Sequence, residues 1–167
     1  YLAARLLTAA ERGVRVRIIL DDINAAGRDE AIASLAAHPN VQVRIYNPTA
    51  ARQGFLRLMG FISDFSRLNR RMHNKSFTAD GAVTIVGGRN VGDEYFDLDP
   101  EVNFRDRELL AVGPVVAEVR AGFEAFWTSR WTYLAKSLAP GGSEVPPAGA
   151  VAAATRDIAG LGYVPPP

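Results

Sequence analysis

The chain contains no cysteine, only two histidines and no long apolar run, and each scarcity narrows what it can be. Without cysteine there are no disulfides and no thiolate-held metal, while the redox compartment stays open. No apolar stretch approaches the ~18 residues that a membrane-spanning helix needs. The chain opens instead on Tyr1-Leu2-Ala3-Ala4-Arg5-Leu6-Leu7, already inside a helical pattern and unlike a signal peptide. That opening leads us to expect a piece of a longer protein, lacking an upstream strand and any anchor. A strong charge of either sign is also missing: 19 Lys and Arg against 18 Asp and Glu give a net charge of +1. Polyanion binders usually carry a basic excess, so nucleic acid is not the expected partner. What remains is 167 residues at 48% hydrophobic and 22% charged, enough for one globular domain with a real core.

The apolar pattern alternates between two periods. Leu2, Leu6, Ala9 and Ala10 recur at helical spacing until Gly13, after which Val14, Val16, Ile18 and Leu20 alternate with Arg15 and Arg17 as in a half-buried strand. A helix over Asp29 to Ala37, a strand Val41 to Tyr46, a helix Gly54 to Phe65, a hairpin, a strand Glu108 to Val112 and a long helix Val115 to Tyr133 are predicted to follow. Such alternation predicts an α/β fold, an α-β-α layered sandwich with a mixed sheet. From Ala139 the composition turns to Pro, Gly and Ala. The expected division is a catalytic half-domain over 1–138 and a linker over 139–167, with a short helix in Ala148 to Ala159.

The chemistry concentrates in Arg71-Met72-His73-Asn74-Lys75-Ser76-Phe77-Thr78-Ala79-Asp80-Gly81 and the following Gly87-Gly88-Arg89-Asn90. Residues two apart on a strand share a face, so His73 and Lys75 are expected to point the same way. Asp80-Gly81 signals a tight hairpin with Ala82 to Val86 returning. Gly87 and Gly88 are read as letting the backbone approach a ligand, and Asn90 as an amide donor at that mouth. A nucleophile or acid, a fixed cation and neutral donors around one anion describe a phosphate site. Asp80 has an equal claim as a brace for the turn and the Lys75 neighbourhood. His38, in Ala37-His38-Pro39-Asn40, reads as an ordinary turn residue.

The spacing His73-x-Lys75, four residues, Asp80-Gly81, then Gly87-Gly88-x-Asn90, resembles the signature of the phospholipase D superfamily. Asp21-Asp22, His38-Pro39-Asn40, Tyr46-Asn47-Pro48, the run from Asp64 to Arg71, Gly92-Asp93-Glu94-Tyr95-Phe96 and Val112-Gly113-Pro114 extend the likeness to the first catalytic half of bacterial cardiolipin synthases, the C type in particular, over roughly residues 1 to 135. The resemblance implies two such motifs across a pseudo-twofold axis, one His attacking phosphorus to give a phosphohistidine while the other protonates the departing alkoxide. Only one motif is present, so the partner is expected from a second half of the same protein or from a homodimer. The resemblance also places at Asp106 an acid that hydrogen-bonds a catalytic imidazole, with Glu108 as its competitor.

Arg67, Arg70 and Arg71 lead into the motif, either as a solvated helix end or as cations that concentrate an anionic substrate, with Arg71 the expected substrate ligand. Asp21-Asp22, Asp93-Glu94 and Asp97-Asp99 are not coupled by spacing to the His-Lys pair, and Lys75 repels a cation, so no metal and no cofactor are expected. Phe55, Leu58, Met59, Ile62 and Phe65 mark an apolar helix face near Arg52 and Arg57, which either faces the core or meets lipid. Two functions follow. One is a membrane-associated phosphatidyltransferase of the bacterial inner membrane acting on a phosphatidylglycerol-like phospholipid; the other is a phosphodiesterase or nuclease of the same superfamily working as a dimer.

Overall fold

A computed structural model describes residues 2–25, 28–49 and 70–138. They fall into two compact units, one of residues up to Arg71 together with those from Arg130, the other Met72–Ser129. The predicted helix Gly54 to Phe65, Arg67 and the segment 139–167 lie outside the described residues.

The first unit holds α1 (Leu2–Glu11), β1 (Val16–Asp21), α2 (Asp22–Ala25), α3 (Asp29–Ala37), β2 (Val41–Tyr46) and β6 (Thr132–Leu134). β1 and β2 are parallel, from Val16 opposite Val41 to Asp21 opposite Tyr46, as a crossover through helices requires. β6 joins β2 antiparallel, making the sheet mixed. Its core gathers Val41, Val43 and Ile45 of β2 with Leu7 and Ala10 of α1 and Ile32 and Ala36 of α3. These helical pairs are three and four residues apart, so each helix turns one stripe inward. Burial of a side chain such as Ile45 contributes about 1.5–3 kcal/mol. Gly13, at φ +93, ends α1, and Asn40 Nδ2 donates to the Ala10 carbonyl at 3.0 Å, satisfying one of the helix's last acceptors. Buried Asp22 accepts from Thr49 N and Oγ1, both at 2.9 Å, and fixes the chain after β2.

The sequence pattern misplaces several boundaries. Val14 is 44% exposed and outside β1, which begins at Val16. The helix expected to reach Tyr133 stops at Trp127: Thr128 Oγ1 and N both bond Glu124 O, at 2.8 and 2.9 Å, capping it. Residues 132–134 instead pair with β2, a long-range choice that overrides local helical periodicity.

The second unit holds β3 (Lys75–Ala79), β4 (Val83–Gly87), β5 (Glu108–Val112) and α4 (Val115–Trp127). The strands form an antiparallel sheet in the order β3-β4-β5, against which α4 packs. The hairpin turn places Asp80 at φ +54 and Gly81 at φ +65, with Ala82 N bonded to Ala79 O at 3.0 Å. Asp and Gly tolerate that left-handed backbone better than most residues, which is why the dipeptide marks the turn. Behind it Thr84 is fully buried, its hydroxyl 2.8 Å from Thr78 Oγ1, so its polar atom enters the core satisfied.

Candidate active site

Strand register decides which predicted residues meet. Lys75 is opposite Gly87, and Gly87 opposite Glu108, so the start of β3, the end of β4 and the start of β5 lie in one row at one end of the sheet. His73 and Gly88 adjoin that row in sequence, and Asp106 enters it just before β5.

β3 begins at Lys75 rather than at His73, so the histidine precedes the strand. The two side chains nonetheless meet: Lys75 Nζ is 3.1 Å from His73 Nδ1 and 3.1 Å from Nε2. The ammonium is therefore equidistant from the two nitrogens and lies over the ring rather than in line with either lone pair. It can only donate, and which ring nitrogen can accept depends on the tautomer. A Lys ammonium has three donors, so one can hold the ring while others address a phosphate oxygen. The imidazole is exposed and Lys75 partly so.

Asp80 is not brought to this pair. Five strand residues at ~3.3 Å each separate it from Lys75 by roughly 16 Å. Its position is that of a turn residue, at φ +54.

The two glycines permit a close approach, and the chain itself makes it. A β-carbon on Gly87 would stand 2.7 Å from the Arg107 carbonyl oxygen, and one on Gly88 would overlap the Asp106 carboxylate. Asp106 Oδ1 also accepts from Arg107 N at 2.7 Å. Among the described residues no hydrogen bond joins Asp106 to His73. Glu108, the competing acid, pairs with Arg89, Oε1 to Nε at 3.4 Å.

Asn90 turns its amide to a residue to which the sequence pattern assigned no role: Nδ2 donates to Tyr95 Oη at 2.9 Å. Tyr95 is packed on Phe104, ring centres 5.2 Å apart, and its carbonyl accepts from Arg89 Nη1 at 2.8 Å. An open pocket of about 280 Å³ follows, lined by Arg89, Tyr95, Asp97, Phe104, Arg105 and Asp106. Of its members the sequence had marked Tyr95, within the Gly92 to Phe96 run that extends the family likeness, and Asp106; nothing in the spacing singled out Asp97, Phe104 or Arg105.

Arg71 belongs to the first unit, where Nη1 donates to Asp21 Oδ1 at 3.2 Å. The cation expected to meet substrate thus has a buried carboxylate as partner at the end of β1. Arg70 is fixed nearby by its carbonyl, which accepts from Asn47 Nδ2 at 2.9 Å. His38 is a turn residue as expected, its Nδ1 accepting from Asn40 N at 3.1 Å. Among the described residues no three His, Cys, Asp or Glu side chains cluster as metal ligands, and no helix is long and apolar enough to cross a membrane.

The chain belongs to the family described as "Cardiolipin synthase, PLD-like domain", whose model matches residues 1–127. It is similar to Cardiolipin synthase C of Escherichia coli, 54% identical over 126 residues, which is 75% of this chain and 26% of that protein. An uncharacterized protein of Helicobacter pylori is 43% identical over 126 residues, again 75% of this chain and 25% of the relative. Cardiolipin synthase A of Pseudomonas syringae is 32% identical over 132 residues, 77% and 26% of the two chains. The chain therefore spans about a quarter of the length of these curated relatives. No solved structure gives a significant match.

Proposed function

We propose that this chain supplies one half of a phosphatidyltransferase site, exchanging the headgroup alcohol of a phospholipid for a hydroxyl of a phosphatidylglycerol-like acceptor. The observation that carries the reading is the Lys75 ammonium 3.1 Å from both ring nitrogens of His73, in a family described by cardiolipin synthase. In the first step an imidazole nitrogen forms a bond to phosphorus while the bond to the leaving alcohol's oxygen breaks, and that oxygen takes a proton from a second histidine. In the second step the acceptor hydroxyl returns a proton to the second histidine, its oxygen bonds phosphorus, and the phosphohistidine bond breaks. His73 fills one of these two roles. A partner motif, in the rest of a longer protein or in a second copy, fills the other. Residues 1–138 form the catalytic half on this reading, 139–167 lead away from it, and the reaction takes place at a membrane surface.

Lys75 neutralises phosphate oxygens as a preorganised donor, aided by Asn90 once substrate displaces its bond to Tyr95. Asp106 orients an imidazole in the assembled site, and Gly87 and Gly88 shape its entrance.

The test uses a protein spanning the relatives' full length and vesicles of phosphatidylglycerol. His73→Ala is expected to abolish cardiolipin formation, and Lys75→Ala to lower it by about 10²-fold or more. Residues 1–167 alone are expected to be almost inactive, because one imidazole cannot serve both sides of an in-line displacement. Robust single-stranded DNA cleavage that disappears with His73→Ala, without lipid turnover, would replace this reading with the nuclease one.

A further inference from the structure

The pocket beside Tyr95 has walls that are already committed and two charged groups that are not. Arg89 is held by the Tyr95 carbonyl, by Glu108 and by the Phe96 ring, 5.3 Å from its guanidinium carbon. Asp106 is held by Arg107 N and by its seat over Gly88. Tyr95 is fixed by Asn90 and Phe104. Asp97 and Arg105, by contrast, line the same space with no hydrogen bond or ion pair among the described residues. Asp97 is moreover held at φ +55, a backbone region uncommon for a residue other than glycine.

Charge selects the ligand class. The lining carries two guanidinium groups and two carboxylates, so it offers a second phosphate little net attraction. An apolar chain would strand the free charges. Hydroxyls suit both: a carboxylate has two acceptor oxygens that can take neighbouring O–H groups, and a guanidinium donates to hydroxyl oxygens. Tyr95 and Phe104 add ring surface for C–H groups. About 280 Å³ far exceeds the ~15 Å³ that one water requires, so a small organic headgroup fits.

We propose that this pocket is the subsite for a glycerol-type alcohol, a small polyol bearing vicinal hydroxyls, with Asp97 and Arg105 as its specificity-determining residues. The inference rests on the phosphatidyltransferase reading and deepens it. Tyr95 links the two functions: its hydroxyl accepts from Asn90, the donor assigned to phosphate, and its ring walls the pocket. An alcohol held there would lie beside Asn90.

The experiment gives the complete protein phosphatidylglycerol vesicles with equal amounts of isotopically labelled glycerol and 1-propanol, and reads the ratio of labelled phosphatidylglycerol to phosphatidylpropanol. The wild type is expected to favour glycerol. Asp97→Asn and Arg105→Ala are each expected to lower the ratio roughly tenfold, the scale of losing a charge-assisted hydrogen bond to a substrate hydroxyl. Glu101→Gln, exposed and outside the pocket, is expected to keep the wild-type ratio. Because the ratio is internal to each sample, a partly unfolded variant still reports. An unchanged ratio in both variants overturns the subsite and leaves the transferase standing. Loss of both products together would move these residues into the reaction itself and also overturn it. No phosphatidyl product from the wild type with either alcohol overturns subsite and transferase alike.

Discussion

Asp106 holds its carboxylate over Gly88 so closely that a β-carbon there would stand 2.9 Å from Oδ1 and nearer still to Oδ2. The carboxylate is the free end of an exposed side chain and can swing away, so Gly88→Ala is expected to displace Asp106 at a stability cost within about 0.5 kcal/mol. Chemical denaturation measures it: a large drop in the midpoint would mean that Asp106 cannot move aside.

Lys75 and Asp80 belong to the same motif and sit at opposite ends of β3. Substituting Asp80 by Gly suits a backbone at φ +54 and removes the carboxylate. In the complete protein it is expected to keep the transfer rate within about threefold, against the loss of about 10²-fold for Lys75→Ala. Equal losses would assign Asp80 a role in the chemistry that its position in this sheet does not explain.

Gly122 lies within α4 with nothing inside 4 Å of where a β-carbon would go. Alanine loses less conformational freedom on folding, so Gly122→Ala is expected to stabilise by about 0.5–1 kcal/mol and raise the Tm. A lower Tm would show that the face of α4 at this position is covered in solution.

Asp22 tests the first unit. It is 1% exposed and accepts from Thr49 N and Oγ1. Asp22→Ala leaves buried donors unsatisfied and is expected to cost about 3 kcal/mol, while Asp22→Asn, which retains an acceptor, costs about 1 kcal/mol. Equal effects from the two substitutions in a urea melt would contradict the hydrogen-bond account.

Asp99 provides a pH test. The backbone N–H of Val102, and then that of Glu101, hold its carboxyl below the ordinary value of 3.8. A depressed folded pKa contributes stability that is present above the unfolded value and is lost as pH falls through the folded one. Carbon-detected NMR of the Asp99 carboxyl is expected to give a midpoint below 3.8, returning toward 3.8 in denaturant. A midpoint that does not move on unfolding would show that these N–H groups do not hold the carboxylate in solution.

Local chemistry made much of this protein legible in its sequence. Asp80-Gly81 specifies a turn because few other residues accept two successive positive φ angles, and Val41 to Tyr46 reads as a strand because its apolar alternation matches the face it buries. His73 and Lys75 could be paired from spacing alone, since two residues on an extended chain share a side even where, as here, the strand starts only at the second. The pairing of Thr132–Leu134 with β2 was hidden, because a partner more than eighty residues away decided it. The same holds for the contacts around the site. Which acid sits over Gly88, which tyrosine receives Asn90 and which charges stay free beside it depend on the loop between β4 and β5 folding back on the sheet. Periodicity records how a residue faces its neighbours along the chain; only three-dimensional packing brings Asp97, Arg105 and Tyr95 around one space.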